Sequence, residues 1–202
     1  MPIRRHLLVF FALVVAALLY ALPATGDAPL VGGPNNLVQV STTGVGDVES
    51  RSNVQVASFG GPVSGSTNAA IAVSTDCTDC RTIAIAFQAV FLINDPPVLV
   101  PGNGAVAVNA ACTRCQTFAF AYQYELFTHG PVFLSPAGHM LLNDLRAEVT
   151  DLAQSNLPLP DLDARLKDVK ARFKALIDSE LVAAGQPPNG VEETKVEQAP
   201  DA

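Results

Sequence analysis

The 202-residue sequence contains no H-E-x-x-H helix, no G-x-S-x-G elbow and no glycine-rich phosphate loop. It therefore lacks the residue patterns of a zinc-protease helix, a serine nucleophile and a nucleotide cradle. Charge is also sparse. Only 15% of residues are charged, and 12 Lys and Arg stand against 19 Asp and Glu, for a formal charge of −7. A chain with this balance repels phosphates, which argues against a nucleic-acid partner and against an anionic lipid surface. Histidine is scarce, with three in the chain. His129 and His139 are isolated, and nothing in their spacing pairs either with a cysteine nucleophile. No catalytic residue is assigned, and the reading points away from an enzyme.

Long apolar runs are missing except at the start. Arg4, Arg5 and His6 precede an apolar stretch from Leu7 to Leu22, followed by the small residues Ala24, Gly26 and Ala28. This is the form of a secretory signal with cleavage before Asp27. The run is short for a membrane span of ~20 residues, so membrane attachment is expected only if this segment stays uncleaved. Cleavage removes Arg4 and Arg5 and no acid, which takes the formal charge from −7 to −9. The expected location is outside the cytoplasm, secreted or in the cell envelope.

What the chain does have is a duplication. Residues 68–92 and 103–127 carry the same pattern 35 residues apart: Cys77-Thr78-Asp79-Cys80 before Thr82-Ile83-Ala84-Ile85-Ala86-Phe87-Gln88, and Cys112-Thr113-Arg114-Cys115 before Thr117-Phe118-Ala119-Phe120-Ala121-Tyr122-Gln123. Strict alternation makes these strands, each with a bulky face and a slim alanine face. A shorter β pattern precedes each cysteine pair, so each copy reads as a β-hairpin with the cysteines at its tip. The slim face is expected to receive the following helices. Gln88 and Gln123 lie on that face and are expected to satisfy one another. Asn36, Asn53, Asn68 and Asn103 stand at strand starts, where turn chemistry suits asparagine.

Ser135-Pro136 is a helix start, and the apolar stripes Leu142–Leu152 and Leu162–Leu181 describe two helices joined by a turn at 155–159. The predicted fold is α+β, an antiparallel β-hairpin meander followed by an antiparallel helical hairpin. Its divisions are a signal peptide at 1–26, a linker at 27–36, a single domain at 37–183 and a disordered acidic tail at 184–202. Within the domain, residues 37–127 form the β hairpins and 135–183 the helical hairpin.

Three chemistries fit the cysteines. Export favours structural disulfides. Cys77 can reach Cys80 and Cys112 can reach Cys115 across a four-residue turn, while a meander would also bring Cys80 beside Cys112. A zinc site would use all four thiolates, Cys77, Cys80, Cys112 and Cys115. Arg81 and Gln116 stand where a zinc knuckle usually has glycine, and a thiol redox site prefers a helix, where here a strand follows. No cofactor is expected on the disulfide reading, and zinc is the alternative.

The twice-repeated C-T-x-C-x-T-x-A-x-A-x-Q, the Phe133-Leu134-Ser135-Pro136-Ala137-Gly138 helix start and the leucine-rich helices resemble a group of exported actinobacterial proteins labelled peptide zinc metalloproteases. The resemblance covers roughly residues 68–183. It implies family-like chemistry at the four cysteines, and it places no catalytic residue because the protease helix motif is missing. The function expected is that of a non-catalytic structural or interaction module with disulfide-clamped hairpin tips. A zinc-binding, metalloprotease-related protein is the alternative. The partner is unknown, with a second envelope protein or self-association as the candidates.

Overall fold

The computed structural model describes residues 32–199. The expected signal segment and residues 27–31 of the linker lie outside that range, and Asn35 and Asn36 of the linker open the first strand. No helix among the described residues is long and apolar enough to cross a membrane.

The strands are β1 (Asn35–Val45), β2 (Val48–Phe59), β3 (Val63–Ser64), β4 (Thr67–Thr78), β5 (Arg81–Ile93), β6 (Val98–Leu99), β7 (Gly102–Ala110), β8 (Gln116–Thr128) and β9 (Gly190–Gln198). Two helices, α1 (Pro136–Gln154) and α2 (Leu159–Ala183), stand between β8 and β9. The sheet orders are β1-β4-β7, β2-β5-β8-β9 and a short β3-β6 pair. All pairings except β8 with β9 are parallel. The chain thus winds as a parallel β-solenoid, each coil passing from one sheet to the facing sheet and then to the next coil.

The antiparallel meander expected from the sequence is therefore wrong. Strands flanking each C-x-x-C do not pair with each other; each pairs with its counterpart one coil away. Alternation cannot distinguish these arrangements, because a hairpin and a solenoid corner both place a strand on either side of a short turn. What decides between them is the partner. Stacking equal repeats puts like on like: Ala84 beside Ala119, Ala86 beside Ala121, Gln88 beside Gln123. A third coil, β1–β2, precedes the duplicated pair and lacks the cysteines.

The two faces of β5 and β8 also exchange the roles expected of them. The slim face, Ala84, Ala86, Ala119 and Ala121, packs against Val38, Val40, Ala70, Ala72 and Ala107 of the facing sheet. Small side chains suit a thin solenoid interior. The bulky face, including Ile83, Phe87, Phe120 and Tyr122, receives α1 and α2 through Leu142, Val149, Leu162, Leu166 and Phe173. Phe87 centres this layer, stacked on Phe120 at 5.2 Å and edge-on to Phe173 at 5.9 Å. With both faces covered, β5 is buried from Arg81 to Leu92, as parallel strands between two layers are.

Capping fixes the helices. Ser135 Oγ accepts the Gly138 N–H at 3.0 Å, and Glu180 of α2 accepts the Ser135 N–H at 2.6 Å and its hydroxyl at 2.8 Å. A side chain at Gly138 would collide with Glu180. The four-residue connection 155–158 then returns the chain along the sheet.

Residues 190–198, expected as part of a disordered tail, form β9 and pair with Phe118–Leu126. Tyr122 donates its hydroxyl to Glu192 Oε2 at 3.1 Å, and Lys170 lies 5.0 Å over the Tyr122 ring. The acidic segment lacks a buried stripe because its side chains need none: the backbone ladder and these contacts hold it.

Polar ladders thread the solenoid interior. Asn36 donates to Asn68 at 2.8 Å and Asn68 to Asn103 at 2.8 Å. Gln88 donates to Gln55 at 2.8 Å and Gln123 to Gln88 at 2.9 Å, the mutual satisfaction expected of these glutamines. The asparagines are not turn residues; Asn36 and Asn68 are buried inside β1 and β4. Nearer the corner, hydroxyls of Thr42, Ser74, Thr82 and Thr117 link at 2.6–3.1 Å.

Candidate functional site

Both C-x-x-C segments form the same corner of successive coils. In the first coil the corner is Gly44-Val45-Gly46-Asp47, with Gly44 in register with Cys77 and Val45 with Thr78. The corners stack through Gly46 N–H to Thr78 O at 2.8 Å, Asp79 N–H to Thr113 O at 2.9 Å and Thr113 N–H to Cys77 O at 2.9 Å. Gly46, Asp79 and Arg114 all adopt positive φ, at 70°, 58° and 55°. Glycine and aspartate tolerate this conformation well, and arginine less so.

Asp79 and Arg114 meet across adjacent coils in a two-pronged ion pair at 2.6 Å. The Arg114 hydrogen bonds hold the Asp79 carboxyl below its ordinary range. Both groups are exposed, so the pair orients the corner more than it stabilises the fold.

Beneath it, all four cysteines are buried in one cluster. Cys77 and Cys80 form a disulfide across a Cα–Cα distance of 5.9 Å. Cys112 and Cys115 are thiols. The sulfurs of Cys77, Cys112 and Cys115 lie within 4.8 Å of one another. Cys80 is outside that group, bonded to Cys77; parallel stacking of the corners, and not the neighbouring hairpin strands expected of a meander, brings Cys77 over the second pair. Burial, then the neighbouring Cys115 thiol, pushes the Cys112 thiol up to about 11. That disfavours the thiolate needed for nucleophilic attack at neutral pH.

Structural zinc needs four ligands, with Zn–S near ~2.3 Å. With Cys77 bonded to Cys80, two thiols remain, and no His, Asp or Glu among the described residues joins the cluster. The residues as they stand do not fit four-coordinate zinc.

His129 and His139 are remote from this corner. His129 follows the C-terminal end of β8, whose N-terminal end adjoins Cys115. Thirteen residues of strand separate them, on the order of 40 Å. His139 lines a cleft with Ser58 and Phe91, also at the ends of β2 and β5 opposite the corner.

Two charged residues with unusual surroundings were missed in the sequence. Arg81 is buried under the α1–α2 connection. At the opposite end of the solenoid, Glu125 is 1% exposed, accepts a hydrogen bond from Ser66 at one oxygen and has no partner at Oε2. Burial pushes its carboxyl up to about 7. A pKa raised above its unfolded value near 4.5 means that folding favours the protonated form. Stability is therefore expected to fall as pH rises from about 4.5 to about 7, by a few kcal/mol at ~1.4 kcal/mol per unit, and to level off above. Glu125→Gln should flatten that slope in urea titrations between pH 4 and 8, with the variant the more stable form above pH 7. An unchanged slope would contradict this reading. A lone acid in an apolar alternation is the one sequence signal that could have marked Glu125.

No family model, curated protein or solved structure matches this chain. The functional reading therefore rests on the corner and the fold.

Proposed function

We propose that the protein is a non-catalytic structural or interaction module of the extracytoplasmic space, a rigid β-solenoid whose corner is clamped by cysteine pairs. The observation that carries this reading is the stacking of Cys112 and Cys115 in the same corner, one coil from the Cys77–Cys80 disulfide. The apolar start of the sequence and its resemblance to exported proteins support the location. In an oxidising compartment the second pair closes as the first has. A disulfide of the compartment's oxidant is reduced to two thiols as the Cys112–Cys115 bond forms. The high Cys112 pKa supports a structural role over a nucleophilic one. A zinc-binding role, the alternative carried by the resemblance, requires the Cys77–Cys80 bond to open first. The intact mass of the exported protein tests the proposal, with two closed corners expected.

A further inference from the structure

Arg81 opens β5 directly after Cys80, on the bulky face, and its side chain turns under the loop between the helices. It is 9% exposed. Its Nη2 donates to Leu157 O at 2.7 Å and its Nη1 to Gln116 Oε1, both neutral acceptors. Its Nε is buried without a partner, and no carboxylate of the described residues pairs with it. Burying a cation without a counter-charge is costly. A lysine or histidine could lose its proton to relieve that cost; an arginine cannot.

Arg81 lines a cleft of about 350 Å³ with Cys80, Asp79, Arg114, Gln116 and Asn156. The Arg114 charge in this cleft is already matched by Asp79 at 2.6 Å. Arg81 is thus the unmatched charge of the cleft. A second cleft of about 410 Å³ shares Arg114 and Gln116 and reaches Leu159 at the start of α2, whose cap, Pro158, offers no side-chain acceptor.

We propose that this cleft binds a small oxyanion, a carboxylate, sulfate or phosphate group, as the counter-charge to Arg81. The ligand lies beside the Cys77–Cys80 corner, held by a guanidinium whose planar donors suit two oxygens at once. Gln116 occupies the position where an internal carboxylate would otherwise serve.

Equilibrium dialysis of the purified full chain against radiolabelled sulfate, and separately acetate, tests this at low ionic strength. One saturable site per chain is expected for at least one of the two anions, and which anion binds tells a tetrahedral from a planar ligand. Arg81→Gln should weaken it by at least ~10-fold, the loss of about one charge-assisted contact. Gln116→Glu supplies the carboxylate from within, so it should abolish anion uptake and raise the thermal midpoint. That second variant decides the matter if Arg81→Gln does not fold. No saturable uptake of either anion by the native chain, or uptake unchanged in Gln116→Glu, would overturn the proposal.

Discussion

A chain ending at Ala184, without β9, is expected to lose several kcal/mol of stability and to self-associate at micromolar concentration. β9 pairs with nine residues of β8, from Phe118 to Leu126. Its removal strips that ladder at ~1 kcal/mol per net hydrogen bond. The flanking bonds from Phe127 N–H to Asn189 O and from Ala199 N–H to Thr117 O go with it, as does the bond from Asn103 Nδ2 to Glu193 O. The exposed edge is then β8, thirteen residues that include Phe118, Phe120, Tyr122 and Tyr124. An uncovered, apolar strand edge is a template for another chain. The opposite edge of the same sheet, β2, is guarded differently: α1 lies on it, and Arg146 Nε donates to Val54 O at 3.1 Å. Sedimentation velocity and urea titration of the truncated chain check this. A monomer with an unchanged midpoint would show that β9 contributes nothing to edge protection.

Asn68→Ala is expected to cost on the order of 3–5 kcal/mol, more than truncation of an ordinary half-exposed polar residue. Asn68 is fully buried and sits in the middle of its ladder. Its Oδ1 accepts from Asn36, and its Nδ2 faces Asn103 Oδ1, Ala86 O and Tyr122 O at 2.8–3.3 Å. Removing it takes a partner from buried groups of three coils at once, Asn36 Nδ2 keeping only Phe87 O, and an unmet buried donor or acceptor costs more than the bond it loses. Asn53→Ala, which removes one half-buried bond to Asn36, should cost only about 1 kcal/mol by the same accounting. Chemical denaturation of both variants gives the comparison. A loss below that of Asn53→Ala at position 68 would mean that the ladder does not hold the coils in register.

How much of this was legible in the sequence follows from what alternation does and does not encode. The strand character of residues 82–88 and 117–123, their two unlike faces and the Ser135 cap follow from spacing and local chemistry, and the structure has them. The partner of each face does not. Ala84 and Ala86 permit close approach of any layer, and only the repeat length shows that the layer is the preceding half of each coil. That signal was present in the ladders. Asn36, Asn68 and Asn103 recur at steps of 32 and 35, and Gln55, Gln88 and Gln123 at 33 and 35. The first coil hides it, because Gly44 and Asp47 stand where Cys77 and Cys80 stand in the next corner. β9 was illegible for another reason. Its residues are mostly exposed charges and small polar groups, and its two valines, Val191 and Val196, are exposed without alternation, so its strand state comes from the β8 edge it covers and not from its own pattern. Arg81 was noted only as a departure from a zinc knuckle, and its burial depends on the α1–α2 connection, which lies 76 residues further along the chain.

The corner chemistry is tested most directly by the intact mass of the protein purified from an oxidising compartment. The sample is measured first under native and then under denaturing conditions. A mass about four daltons below the all-thiol value is expected in both, from two two-electron oxidations at Cys77–Cys80 and Cys112–Cys115. A native mass raised by one zinc ion that returns to the all-thiol value on denaturation would contradict it, because four thiolates would then be holding a metal where the structure closes a disulfide.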